Sequence, residues 1–576
     1  MRAHGSNMAA YRAMRALLLG ACPAFFAGVA PASAGLEAKH FDVAISTAPT
    51  HDMALGNGVY SPTGSKAVLN VNDLTNALAA GNLEVTTGNG AGGTTAGNLD
   101  VNTAFHWASG NTLILDAYRA VRVNQPVTDA GTGPLTIATH DGSGNGRLEF
   151  SHAGNIVFWG LSNPLSIDGK AYTLVNSVAS LAAAIASVPD GNYALAASYD
   201  AAVDKIYAQS PIATVFEGNF DGLGNAISNV STHGAGFFTD IDWGASVSNL
   251  RLRNVKVREI ESERNFAEGG LAGQSNGSLY GDDVSGAVAG IYATNGVGGL
   301  IGFGSGRIVR CASTASVQSH RFGGQYIGGL VGQFSGTITN SSSTADIKAG
   351  ELNQSAGGLA GMFYGVMRHS HATGNVKGVR LSGIIGGLIG EASGKIYDSY
   401  ATGNVATRAD GVYAGGLVGE GNASISGSFS TGRVDAGFQS YGAGGLVGGS
   451  TVSITNSYAT GTVGRPGSGW TAGGLIGDPY GETGTISGSY ATGKVSGEYA
   501  GGFAGNPCNC FSSDYWDTTT SETTDGIPNG NAPGITGLTT AQLKASLPAG
   551  FDPHVWAMDR KINHGFPYLI ANPPPQ

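Results

Sequence analysis

A five-residue pattern, glycine-glycine-apolar-x-glycine, begins at Gly269, Gly298, Gly328, Gly357, Gly386, Gly415, Gly444, Gly473 and Gly501. Successive copies lie 29, 30, 29, 29, 29, 29, 29 and 28 residues apart. A steady period of roughly 20–50 residues marks a solenoid, propeller or array, because each repeat is a unit that buries its apolar face only against its neighbours. A second block follows in most copies: SHATGNV at 370, SYATGNV at 399, SFSTGRV at 428, SYATGTV at 457 and, after a three-residue insertion around Pro479, SYATGKV at 489. Three residues before the start of most such blocks stands Ile308, Ile338, Ile396, Ile425, Ile454 or Ile486; six residues after it stands Val317, Ile347, Val376, Val405, Val434, Val463 or Val495. Each copy thus offers three short apolar clusters separated by Gly, Ser, Thr and Asn. Such β-branched runs bounded by turn residues read as strands, and no copy sustains the i, i+3, i+4, i+7 pattern of a helix. A propeller blade needs roughly 40–50 residues, and a leucine-rich repeat needs more leucine and an asparagine ladder. The expected fold is all-β: a right-handed parallel β-helix, or solenoid, with about 29-residue coils stacked about 4.8 Å apart and a small C-terminal cap.

Glycine supplies 95 of the 576 residues, and a stack of coils gives that excess a geometric reason. A glycine that recurs once per coil serves either a turn with φ > 0 or a close approach of backbone to backbone. Tyr400, Phe429, Tyr458 and Tyr490, with Tyr515 beyond them, share one phase of the repeat. They predict an aromatic ladder whose role is packing rather than sugar binding, each pair adding about 0.5–1.5 kcal/mol.

GGLVG followed by SYATGTV resembles the GLUG motif, a repeat of bacterial surface and secreted proteins that include adhesin-like exoproteins and some large immunoglobulin A peptidases. FEGNFDGLGNAISNVS (216–231) looks like the segment that leads into such repeats, and GFFTDI (236–241) like a degenerate first copy. The resemblance covers about residues 190–570. Upstream, Trp107 to Gly142 is similar to the coils of filamentous-haemagglutinin-like exoproteins, although no NPNG or NPNL motif stands near the start. The organisation this implies is a signal peptide (1–34), irregular exoprotein-type coils (35–189), transition coils (190–264), GLUG-like repeats (265–510) and a C-terminal cap (511–576). SVASLAAAIASV (177–188), ended by Pro189-Asp190-Gly191, is the one helix expected in the first half, at the junction of the two repeat types. Thr539 and Gln542 stand in capping-box spacing within the cap.

At the N-terminus, Arg2, Arg12 and Arg15 precede an apolar run that ends in Ala32-Ser33-Ala34, a small-x-small site that predicts cleavage between Ala34 and Gly35. Lipid attachment at Cys22 is disfavoured, since the apolar run before it is short and continues past it. The expected location is therefore secreted or on the outer cell surface of a Gram-negative bacterium. Without residues 1–34, 27 basic face 40 acidic residues, a formal charge of −13 that argues against nucleic acid as partner. Cys311, Cys508 and Cys510 remain, with no framework spacing.

Several chemistries can be weighed at this level. The glycine-rich blocks lack the G-x-x-x-x-G-K-[ST] and G-x-G-x-x-G contexts of nucleotide sites, and no Asp recurs in phase as a calcium nonapeptide requires. No H-E-x-x-H offers a zinc site. His369 and His371 form an H-x-H pair, with His371 in the ladder phase, and Cys508-Asn509-Cys510 is an isolated C-x-C in which Cys510 is expected at an inward apolar position. Asp282-Asp283, Asp240 with Asp242, and Arg251, Arg253 and Arg258 are the clusters comparable with the groove of a β-helix polysaccharide lyase or hydrolase. No residue is assigned as catalytic, cofactor-binding or metal-ligating. The resemblance implies a non-enzymatic, adhesin-like protein that contacts a cell surface, matrix protein or glycan, with an outer-membrane secretion partner. The alternatives are a polysaccharide-active enzyme and the passenger fragment of a larger exoprotein. Binding is expected where copies differ, in turns such as Arg408 to Val412 and Gly464 to Trp470.

Overall fold

The computed structural model describes residues 41–575 except 89–96, 140–145, 261–265, 292–294, 321–324, 352–353, 380–382, 409–411, 438–439, 451–452, 465–470 and 480–483. The expected cleavage site at Ala34 and Gly35, Cys22, and most of the two variable turns lie outside the described residues.

The chain forms a parallel β-solenoid. The glycine blocks stack as a nine-stranded sheet from Ala267–Gly269 to Tyr499–Gly501, and the first glycine of every copy pairs with the first glycine of the next, Gly269↔Gly298 through to Gly473↔Gly501. A second face is built from nine-residue strands such as Ile389–Tyr397 and Val418–Ser426. On it Ile308, Ile338, Met367, Ile396, Ile425, Ile454 and Ile486 form one inward column. The third face carries two short strands per coil, with Val317, Ile347, Val376, Val405, Val434, Val463 and Val495 in register. These columns, with the leucine of each glycine block and Phe503 of the last, are buried in one continuous core. Each Ile or Leu so enclosed contributes about 1.5–3 kcal/mol.

The two roles open to the repeated glycines can now be told apart. A Cβ on Gly415 would lie 1.8 Å from the Val418 carbonyl oxygen, and one on Gly416 2.0 Å from that of Gly445, while neither φ is positive. Close backbone approach, not a left-handed turn, excludes every other residue there. Left-handed backbone instead falls at the corner before each serine block, on Asn340, His369, Asp398 and Asn456. Asn and Asp tolerate that region better than other side chains.

The first half has its own core, which runs from Val43 to Leu174 and takes in Ala194, Ala196 and Leu223. Its strand Val43–Ser46 lies between Ala67–Asn70 and Leu99–Val101, parallel to both. Between them the chain makes the hairpin Met53–Gly56/Val59–Pro62 and the helix Val71–Ala80, capped by Asn70 and burying Leu74 and Leu78. Sequence reasoning expected one helix in this half and missed Val71–Ala80, whose Asn and Thr residues blur a short apolar stripe. The expected helix is present as Val178–Ser187, with Ser177 and Ser180 in a capping box. Its Val178, Leu181 and Ile185 pack into the start of the second core.

The C-terminal region departs from a simple end cap. The stack continues past 510, Ile486 pairing with Phe511 and Tyr490 with Tyr515, and Ile535–Leu538 then pairs with Asp514–Asp517. After the helix Thr540–Leu543 the chain turns back along the side of the solenoid as a strap. Its Asn572 amide donates to the carbonyl oxygens of Gly427 (2.9 Å) and Ser399 (3.5 Å), several coils before the end.

Candidate functional site

The aromatic column is present as expected. His371, Tyr400, Phe429, Tyr458 and Tyr490 stack with centroids 4.7–5.1 Å apart and planes within 6° of parallel. The strap covers it: Phe429, Tyr458, Tyr490 and Tyr515 share an apolar cluster with Leu543, Phe551, Trp556, Phe566 and Leu569. The rings are thus a packing seam. His371, at its open end, is desolvated, which lowers its pKa.

Beside the ladder runs a column that sequence reasoning did not interpret. The serine that opens each block is buried; its hydroxyl donates to the carbonyl two residues earlier and accepts the amide of the preceding block's serine. Ser399 donates to Tyr397 (2.7 Å) and accepts from the Ser370 amide (3.2 Å), and the pattern repeats at Ser341, Ser370, Ser428, Ser457 and Ser489. Asp514 takes the serine's place after Ser489, accepting the Ser489 and Ser512 amides. At the other end stand Cys311 and then Asp282, which accepts the Leu250 and Tyr280 amides. Burial pushes Asp514 up to about 7 and holds Asp282 well above the usual carboxylate range. Asp282 is therefore part of the wall, not a groove acid.

Cys510 does not hold the inward position expected of it. Phe511 pairs with Ile486 instead, and half-buried Cys508 and Cys510 are joined in a disulfide. The last coil is shorter than those before it, which shifts the alignment by one residue. A loop this small adds little by chain entropy. His369 sits at a left-handed corner 4.0 Å from Asp398. Among the described residues, no three His, Cys, Asp or Glu side chains gather as a metal site would require.

A polar concavity lies where the first half, a parallel-stranded solenoid with its own core, meets the solenoid of the repeats. A cleft of about 420 Å³ is lined by Arg122, Asn124, Glu149, Phe150, Ser151, Asn249, Tyr280, Gly281, Asp283 and Arg310. Glu149, on the edge strand Arg147–Phe150 of the first half, is its hub. It accepts from the Tyr280 hydroxyl (2.9 Å), forms a close ion pair with Arg310, and stands 3.4 Å from Arg122 Nε. Arg122 Nη1 is 3.7 Å from Asp100. Arg147 lies 4.3 Å above the Tyr280 ring, and Arg251 of the second half donates to the Ser151 (2.5 Å) and Gly154 (3.1 Å) carbonyls of the first. Burial, reinforced by Glu149, pushes Tyr280 up to about 12. Burial opposes the charge of Arg310, yet Tyr280 and Glu149 outweigh it and raise its pKa. Asp283 is raised by burial, against Arg251, Arg253 and His152.

Of the charged clusters picked from sequence, Asp283 lines the cleft, with Arg251 and Arg253 close enough to act on its charge. Asp240 belongs to a different sheet from these arginines. Arg122, Glu149, Tyr280 and Arg310 were missed, being separated by up to 188 positions of chain. One signal was available: Arg310 occupies the left-handed corner (φ 56°) that later coils give to Asn340, His369, Asp398, Gly427, Asn456 and Gly488. A long side chain retained there is costly and marks the position.

The family model of the GLUG motif matches residues 323–348. None of the curated proteins matches the sequence. Among solved structures the chain is similar to an IgA1 protease at 20% identity and a TM-score of 0.31, over 48% of this chain and 20% of that one. It is also similar to a Bacteroides ovatus protein provisionally assigned as an immunoglobulin A1 protease, at 17% identity and a TM-score of 0.27, over 70% of this chain and 92% of that one. The chain spans a fifth of the length of the first of these, and likenesses this low leave the fold to rest on the coil geometry itself. With the motif matched in one coil and its glycine pattern in register through a nine-stranded sheet, the chain is a β-solenoid built on GLUG-motif repeats.

Proposed function

We propose that this chain is a secreted or surface-displayed, non-enzymatic, adhesin-like rod that contacts a glycan or a host or matrix protein. The observation that carries this reading is the state of the cleft carboxylate. Glu149 is held by Arg310, Arg122 and the Tyr280 hydroxyl. A general acid or base must be free to reach the substrate proton it exchanges. A carboxylate whose oxygens are already engaged by two guanidinium groups and a phenol is suited to orienting them instead. The solenoid supports the same role mechanically, since its stacked coils fix surface groups at regular intervals along a stiff axis. The N-terminal apolar segment and the Cys508–Cys510 disulfide support an oxidising, extracytoplasmic setting.

The test is to locate the chain in cell fractions and to present purified residues 35–576 to glycan and host-protein arrays, with product analysis. Retention on a surface ligand without turnover is the expected result. Release of a shortened glycan would overturn the non-enzymatic reading, and a purely cytoplasmic location would overturn the surface one.

A further inference from the structure

We infer that the cleft between the two solenoids binds the carboxylate of an acidic sugar residue, such as a uronate or a sialate. The inference rests on the contact reading above and gives that contact a site and a chemistry.

Four observations lead there. First, two guanidinium groups, Arg122 and Arg310, line the cleft of a chain whose formal net charge is −10. Arg147 stacks on the lining Tyr280 and Arg251 donates to the lining Ser151 carbonyl, while Glu149 and Asp283 are the carboxylates of the lining. Second, Arg122 and Arg310 are oriented before any ligand arrives. Each uses part of its planar fork on Glu149, Arg122 through Nε and Arg310 through Nη1. Both hydrogen bonds of Arg310, to Glu149 and Tyr280, run through Nη1, and the Arg122 and Arg310 side chains are 40% and 50% exposed. A guanidinium fixed along one edge and open along the other is the arrangement that takes a carboxylate, with little entropy left to lose. Third, the remaining lining matches a pyranose ring. Half-buried Phe150 offers an apolar face, Asn124 and Ser151 offer groups for hydroxyls, and Gly281 leaves the wall without a side chain. About 420 Å³ lies within the range of small-ligand sites and admits one or two sugar units. Fourth, Arg310 keeps a left-handed backbone conformation that a residue chosen for the turn alone would not impose.

The test is titration calorimetry on the full chain with two probes, a glucuronate-terminated disaccharide and a sialylated trisaccharide, each beside its carboxylate methyl ester. At least one acid is expected to bind about tenfold or more tightly than its ester, the scale of one charge-assisted fork. Arg310→Lys keeps the charge and loses the fork, and Asn124→Asp adds a negative rim without touching the Glu149 contacts. Each is expected to weaken that acid by about tenfold or more, with the circular dichroism spectrum unchanged. Equal affinity for acid and ester, affinity unaltered in both variants, or no binding of either acid at millimolar concentration would overturn the inference. Binding of some other surface ligand that survives both variants would leave the contact reading standing and remove only the cleft from it. Turnover would remove the contact reading, while the acid and ester comparison still decides the cleft.

Discussion

Two tyrosines one rung apart in the ladder should respond oppositely to loss of the hydroxyl. Tyr458 is fully buried, its ring 4.8 Å from Phe429 and 5.1 Å from Tyr490, and its hydroxyl has no hydrogen-bond partner. Desolvation pushes this phenol far above its ordinary pKa. Tyr490 is equally buried, but its hydroxyl donates to the Pro567 carbonyl (2.6 Å) and accepts from the Asn563 amide (2.7 Å), tying the ladder to the strap. Tyr458→Phe keeps the ring, as Phe429 already does one coil earlier, and removes an unmade hydrogen bond. The expected change is neutral to about 1 kcal/mol stabilising. Tyr490→Phe removes two bonds. Because Asn563 also donates to the Pro567 carbonyl (2.8 Å), neither partner is wholly orphaned, so the cost is about 1–1.5 kcal/mol rather than the full penalty of a buried unpaired group. A long repeat chain need not unfold in two states, so the assay is hydrogen exchange of amides in residues 549–569, which reads opening of the strap directly. Exchange should quicken about 5- to 13-fold in Tyr490→Phe and be unchanged or slowed in Tyr458→Phe. Equal acceleration in both would show that the hydroxyls do not act through these contacts.

Three further outcomes follow from the coil geometry. Gly415→Ala would force a Cβ to within 1.8 Å of the Val418 carbonyl oxygen and 2.7 Å of the Gly448 nitrogen; a loss of about 3 kcal/mol or more is expected, read as a fall in the denaturant midpoint. Ser399→Ala leaves the Ser370 amide and the Tyr397 carbonyl short of a partner inside the serine column, at a cost of about 1–3 kcal/mol in the same measurement. Burial raises Asp514 to about 7 and Asp221 to about 6, so the folded chain holds these protons more tightly than the unfolded one. Their stabilisation is therefore complete below about pH 4 and is lost as pH rises through about 6 to 7. Asp514→Ser, which restores the residue type of the column, should flatten the upper part of that slope in pH-dependent melting.

The repeated parts of this fold were legible because one coil's constraint recurs in the next. Nine glycine pairs, the Ile and Val columns and the ring ladder were placed from sequence at the positions the structure gives them. A period reports any interaction between residue i and its counterpart one coil on, and all of these are of that kind. It is silent about the strap, which touches the ladder from sequence positions with no counterpart. It misplaces Cys510 and Phe511, where the coil shortens. It also gave the serines no role, although they recur in six successive coils from Ser341 to Ser489, because a hydroxyl that bonds forward and backward leaves no hydrophobic signature.

The same logic explains why the cleft escaped sequence reasoning and where it arises. A position that repeats in register is bound by packing and is not free to vary for a ligand. Freedom returns where the period breaks, and the serine column breaks at Cys311 and Asp282. One residue before Cys311 stands Arg310, and two before Asp282 stands Tyr280. Both corner segments project from the coils that face the edge strand Arg147–Phe150 of the first solenoid. The repeat scaffold thus supplies the backbone corner, the break in the column releases its side chain from the stack, and the first solenoid brings Glu149 to orient it. A site of this kind combines residues that neither half could position alone, which is why the junction of the two solenoids, rather than any single glycine-rich coil, is where recognition chemistry is to be sought.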